Sequence, residues 1–242
     1  MHPSASLGVS VGMTFVTLLV AILFCLGVRH VRPSWGRAAA VGALGWLAFA
    51  FAVAWTGALR RFDVRPPPMA LLFVVILAGG IALARSRVGE ALAELPLWLL
   101  ILVQGFRLPL ELVMHAAANE GTMPHVMTWT GYNYDVVTGA SAIAVALVVR
   151  ASPASVAARV LARGWLVLSF ATLATVAVVA LLASPMLMRF GPAEVNDWVT
   201  YPPFVWLPAV LVLSALAGQL ILVRAMGAKG QLFEKTTTPA QP

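Results

Sequence analysis

The feature that most constrains this fold is a succession of apolar stretches, each about as long as a bilayer is thick. They fall near residues 7–28, 38–59, 69–84, 95–118, 136–149, 165–187 and 204–226. An α-helix rises about 1.5 Å per residue, so about 20 residues cross a hydrocarbon core of roughly 30 Å. Inside that core every backbone N–H and C=O needs an internal partner, and continuous apolar runs meet the need as helices. The expected fold is all-α: a polytopic transmembrane helix bundle of about seven spans. It forms one domain over residues 1–226, followed by a disordered cytoplasmic tail over residues 227–242.

Charge distribution agrees with a membrane chain and argues against nucleic acid as a partner. Only 10% of residues are charged, against about 25% in a globular domain. The net charge of +7 does not gather on one amphipathic element, but lies in short connections between apolar runs, as topology signals do. With the N-terminus outside, the inside connections and tail hold eleven basic residues: Arg29, Arg32, Arg37, Arg85, Arg87, Arg150, Arg159, Arg163, Arg224, Lys229 and Lys235. The outside connections hold four: Arg60, Arg61, Arg65 and Arg189. This predicts an N-out, C-in bundle. The arginines at 60–65 break the rule, so the count of the first three spans stays open. The first run lacks a preceding Lys or Arg and is longer than a signal-peptide core, so it is expected to be retained as a span. Cys25 is the lone cysteine and reads as a small buried residue.

One run breaks the apolar pattern. In the fourth span Gln104, Arg107, Glu111 and His115 fall on one helical face, and the last three are successive i,i+4 neighbours. Charges in hydrocarbon are costly and mark a functional site by default. Pro109, among them, removes one helical hydrogen bond and predicts a kink. The fifth span is too short to cross fully, which puts Asp135 below the outer surface near the level of Glu111. The connection between them, 116–135, has no Lys or Arg and carries Asn119, Glu120, His125, Asn133 and Asp135. Together these predict a polar cavity in the outer half of the membrane, open to the outside.

Several readings of these residues stand side by side. Arg107 and Glu111 make a structural ion pair, or Arg107 binds an anionic or lipid-like ligand that Glu111 orients, or Glu111 carries a proton. His115, His125, Glu111 and Asp135 are too loosely spaced to predict a metal centre, and no metal or cofactor is expected. Asn133 and Asp135 are also candidate caps of the fifth span. Thr128, in the aromatic and amide-rich stretch 127–135, lies in a lid, a re-entrant segment or a plain interfacial loop. Thr138 and Gly139 suit close helix packing, and Gln219 suits an interhelical hydrogen bond. The chain has no P-loop, and its last span has no lysine for a retinal Schiff base.

The stretches FRLPLELVMH, MPHVMTWTGYNYDVVTG and YPPFVWLPAVLVLSALAGQL resemble a group of uncharacterised bacterial multi-pass membrane proteins. Their pattern falls here on Phe106, Arg107, Pro109, Glu111 and His115, then on Pro124, Met127, Thr128, Gly131, Asn133, Asp135 and Gly139. The likeness covers residues 104–139 and 196–222. It implies a bacterial cytoplasmic (inner) membrane and no particular activity.

The leading expectation is binding or transport of a small anionic or amphiphilic ligand, or of protons, through Arg107, Glu111, His115, Asn133 and Asp135, with Gln104, His125, Thr128 and Gln219 in support. One alternative is a membrane enzyme using Glu111, His115 and Asp135 on a lipid-like substrate. The other is a structural subunit in which the charges only fix packing.

Overall fold

Ser6 starts the first helix by accepting a hydrogen bond from the Val9 N–H at 3.2 Å. The computed structural model describes residues 5–237, with side chains as far as residue 227, and all regular structure among them is helical. Helix α1 is Leu7–Val31, and α2 is Gly36–Trp55 after a 3₁₀ turn at Pro33–Trp35. Helix α3, Pro68–Arg85, opens on a proline, whose missing N–H costs nothing in a first turn. A short helix α4, Arg87–Leu92, then turns the chain, capped by Ser86 Oγ accepting from Val88 and Gly89. The fourth apolar run is α5, Leu97–Val103, a 3₁₀ turn at Gln104–Phe106, and α6, Arg107–Asn119. Helix α7 is Asp135–Ala151 and α8 is Val156–Leu182. A π turn at Leu207–Val212 leads into α9, Leu213–Thr237.

Six segments are long and apolar enough to cross a membrane: Leu7–Val31, Pro33–Trp55, Pro68–Arg85, Leu97–Asn119, Val156–Leu182 and Leu207–Gly227. Helix α7, with 17 residues, is shorter than all six. Large apolar side chains cover the outside of the bundle, among them Phe15, Leu44, Val74, Leu112, Leu147 and Val167. A continuous apolar exterior over a packed interior is what a bilayer accepts and water does not.

Boundaries differ from the sequence expectation where a polar residue sits on a helix. The sixth span begins at Val156 rather than near residue 165, so Arg159 and Arg163 lie on α8 and not in a loop. Ala, Val, Leu and Arg all propagate a helix, and the long arginine stems reach back toward polar surroundings. The second span ends at Trp55 because Gly57, at φ 77°, turns the chain away. The kink expected at Pro109 appears one turn earlier, as the 3₁₀ turn at Gln104–Phe106, where the carbonyl that Pro109 cannot bond belongs to Gly105. Pro208 has the same effect in the last span, and the indole N–H of Trp46 on α2 donates to the Ala209 carbonyl at 2.7 Å. The polar tail expected to be disordered over 227–242 is helical as far as Thr237, as the end of α9, and residues 238–242 lie outside the described residues.

The two ends of the bundle are marked by different contacts. At one end Glu120, just past α6, accepts from Ser6 N–H at 3.1 Å and Ser6 Oγ at 2.7 Å. At the other end Val28, Ala84, Leu92, Leu95 and Ala225 form a small core. There Arg224 of α9 lies 3.4 Å from Glu90. Two of the three arginines that broke the charge rule are occupied: Arg60 lies over the Tyr201 ring at 4.7 Å, and Arg61 pairs with Asp63 at 2.9 Å.

Candidate functional site

The polar residues of α6 and those preceding α7 meet as two antiparallel rungs. Arg107 Nη1 donates to Asp135 Oδ1 at 2.8 Å, and one turn further along α6 Asn133 Nδ2 donates to Glu111 Oε1 at 2.8 Å. All four are buried, Arg107 completely. The i,i+4 ion pair expected between Arg107 and Glu111 does not form. Arg107 turns to α7 instead, where the Asp135 carboxylate reaches its level.

The close approach of α6 and α7 depends on Gly139. A Cβ there would lie 2.4 Å from Leu108 N and 2.9 Å from Arg107 C, backbone atoms that cannot swing aside. Gly139 and Thr138 thus do the packing work expected of small residues in membrane helices. Neither Asn133 nor Asp135 is a helix cap in the expected sense. Asn133 Oδ1 accepts from the Asp135 N–H at 2.9 Å, closing a local turn, while the Asp135 carboxylate leaves the helix for Arg107.

Helix α8 supplies a second layer that the apolar pattern concealed. Thr172 Oγ1 donates to Asp135 Oδ1 at 2.9 Å, and its own oxygen is 2.7 Å from Thr138 Oγ1. A hydroxyl has one proton to give, so the run of donation is Thr138 to Thr172 to Asp135. Gln219 of α9 donates to the Ser169 carbonyl and hydroxyl, both at 2.7 Å. It is the interhelical bond anticipated, and it braces the turn of α8 carrying Thr172. Gln104 is buried against Gly218, with its amide nitrogen only 2.0 Å from where a Cβ would stand. Ser169 and Thr172 went unseen because hydroxyls scattered through SFATLAT read as ordinary helix packing residues.

Residues 120–134 fold over one end of the bundle as a lid. A 3₁₀ turn at His125–Met127 tucks Met127, Thr128 and Asn133 inside, while Tyr132 and Tyr134 stay exposed. Thr128 Oγ1 donates to the His125 carbonyl at 2.9 Å and closes the local turn. Glu194 accepts from the Val126 N–H at 3.0 Å and ties the lid to the connection before α9. His115 stands apart from the charges, stacked on Trp129 with ring centroids 4.2 Å apart. His125 is exposed on the lid. Among the described residues no three His, Cys, Asp or Glu side chains gather as a metal site, so the loose set of Glu111, His115, His125 and Asp135 is not assembled.

The site is buried, and its charged groups are set among apolar walls. Arg107, Glu111 and Asp135 line a cavity of about 30 Å³ walled otherwise by apolar side chains, including Leu173, Val176, Leu207 and Val212. That volume suits about two water molecules and no larger guest. Arg107 Nε and Nη2 and Glu111 Oε2 are buried without a protein hydrogen-bond partner. The cavity abuts a second one. An apolar groove of about 280 Å³ runs between α3 and α8 and is lined in part by the same Leu173, Val176, Leu207 and Val212. Met69, Phe73, Ala177 and Leu181 continue its walls.

Fold and site together define a multi-pass, helical, membrane-type protein with a buried charge cluster. No protein-family model, curated protein or solved structure matches the chain.

Proposed function

We propose that this protein binds an amphiphilic molecule drawn from the bilayer, its apolar part in the groove between α3 and α8 and its polar end at Arg107 and Glu111. One observation carries the reading: the groove and the small charged cavity share four wall residues, Leu173, Val176, Leu207 and Val212. A side-chain rearrangement at those residues would join a chain-sized space to unpartnered donors and an unpartnered acceptor. Hydrophobic walls with a few convergent polar groups are the usual make-up of a small-molecule site.

Charge counting narrows the polar end. One guanidinium faces two carboxylates, so the cluster lacks one positive charge. A fully ionised anion would deepen the imbalance. A head that accepts from Arg107 and donates to Glu111, such as a hydroxyl, an amide or an acid arriving with its proton, matches both orphaned edges. Proton exchange at Glu111 fits the same count.

The membrane placement belongs to the same proposal. Ser6 and Arg224 lie at opposite ends of the bundle, which favours an odd number of crossings and so counts α7 as the seventh span. The arginine distribution favours N-out and C-in. The residue pattern of 104–139 favours a bacterial cytoplasmic membrane.

Organic extraction of the purified protein followed by mass spectrometry tests the reading. Wild type should release one amphiphile in near-stoichiometric amount, and Ala177→Trp, which fills the groove, should release at least tenfold less. Equal lipid profiles from both proteins would defeat it.

A further inference from the structure

The groove between α3 and α8 is apolar along most of its length and turns polar toward the lid. Its α8 wall runs from Leu173 through Leu181 and continues to Ser184, just past the helix. Leu173 and Val176 also border the charged cavity. At a rise of about 1.5 Å per residue, Ser184 lies roughly 12–16 Å beyond them. Helix α8 stops at Leu182, and the Asn196 N–H donates to the Ala183 carbonyl at 2.7 Å, satisfying one of the carbonyls that a helix end leaves open. That bond draws the connection before α9 across the end of α8 and brings Asn196 and Ser184 into the wall of the same groove. Met127 of the lid lines it as well.

Ser184 Oγ and Asn196 Oδ1 are enclosed and have no hydrogen-bond partner in the protein. Asn196 is only 7% exposed, and its amide nitrogen makes one long contact, 3.5 Å to the Ala180 carbonyl. A buried polar atom left unpaired is a net cost to a fold. The side chains of Leu181, Pro185 and Met186 in the same wall offer neither donor nor acceptor. Chemistry narrows what would pair the two atoms. A serine hydroxyl can donate, whereas an asparagine oxygen only accepts. The pair therefore matches a group that takes one hydrogen bond and gives another. A hydroxyl does both, accepting from Ser184 and donating to Asn196. An ester oxygen has no proton and would leave Asn196 unmet, and a methyl terminus would leave both unmet.

We infer that the amphiphile of the groove is polar at both ends, with a hydroxyl held by Ser184 and Asn196 and its other polar group at Arg107 and Glu111. The inference rests on the reading of the groove as an amphiphile site and names the class of its ligand: a chain of bilayer origin, apolar in the middle and hydroxylated at the end nearer the lid. A lipid with a single head at Arg107 would press its chain terminus against two unpaired polar atoms. Sites built to hydrogen-bond a hydroxyl discriminate strongly against the analogue lacking it, because their own polar groups are then left unmet.

The experiment is competition between dodecanediol, hydroxylated at both ends, and dodecanol for the full-length protein in lipid nanodiscs, read by native mass spectrometry. The two probes differ by one terminal oxygen, and both are uncharged. Wild type should hold the diol about tenfold or more over the alcohol. Ser184→Ala removes no bond that the protein makes with itself, so it should fold as wild type does. Its preference should fall to about threefold or less, with one hydrogen bond gone. Ala177→Trp, which fills the groove, should hold neither probe. Equal occupancy by the two probes in wild type, or an undiminished preference in Ser184→Ala, would overturn this inference and leave the groove as an amphiphile site if Ala177→Trp still excludes both. Binding of neither probe to wild type, or binding that Ala177→Trp leaves unchanged, would overturn the groove reading and this inference with it.

Discussion

Asn133 connects three parts of the site. Its amide nitrogen bonds Glu111 and the Met127 carbonyl, and its oxygen holds the Asp135 N–H. It therefore joins the charge of α6, the lid and the start of α7. Asn133→Ala would strip Glu111 of its one protein donor and free two backbone groups in a dry interior. Each unsatisfied buried group costs about 1–3 kcal/mol. The variant should lose about 2 kcal/mol or more in detergent unfolding experiments, with faster proteolysis at residues 120–134. Unchanged stability and unchanged proteolysis would show that the lid is held by other contacts. At this scale the sequence was legible where charge stood out. Arg107, Glu111, Asn133 and Asp135 were all visible as polar residues near one level, because the bilayer makes every such residue conspicuous. Their pairing was not, since i,i+4 spacing pointed to Arg107 with Glu111 and only the helix-to-helix register decides for Asp135. Thr172 gave no signal at all, because a threonine in a membrane helix bonds its own backbone as readily as a neighbour.

Helix α7 is the element on which the site turns. It packs between α5 with α6 on one side and α8 on the other. Its approach to α6 rests on Gly139, where even one methyl meets backbone. Gly139→Ala should cost about 1–3 kcal/mol through overpacking and lengthen the Arg107–Asp135 contact. Gly164→Ala, at a helical glycine with nothing within 4 Å, should be neutral or slightly stabilising. The comparison in one unfolding assay separates close packing from a general effect of adding Cβ atoms, and equal outcomes would refute the packing argument. The existence of each helix followed from apolar runs of bilayer length. Their ends did not: α8 extends past two arginines, α4 interrupts an assumed loop, and two prolines redirect local winding without ending their spans. Apolar patterning reports where lipid is, and helices continue wherever their backbone bonds can.

For the whole molecule, contacts place Ser6 and Arg224 at opposite ends of the bundle. Ser6 meets Glu120 at the lid end, and Arg224 meets Glu90 at the other. A single cysteine at Ser6 and another at Gly227, each in a Cys25→Ala background, should label from opposite sides of intact membranes with an impermeant maleimide. Labelling of both from the same side would exclude seven crossings. The buried charge cluster lies at the lid end of the bundle. The sequence reading found it through its charges.

The account depends on Arg107 being held by Asp135 across two helices and not by Glu111 within one. Two double-mutant cycles measured by detergent unfolding decide between them: Arg107→Gln with Asp135→Asn, and Arg107→Gln with Glu111→Gln. The predicted coupling is about 1.5 kcal/mol or more for the first pair and about 0.5 kcal/mol or less for the second. A larger coupling for Arg107 with Glu111, and additive behaviour for Arg107 with Asp135, would contradict it.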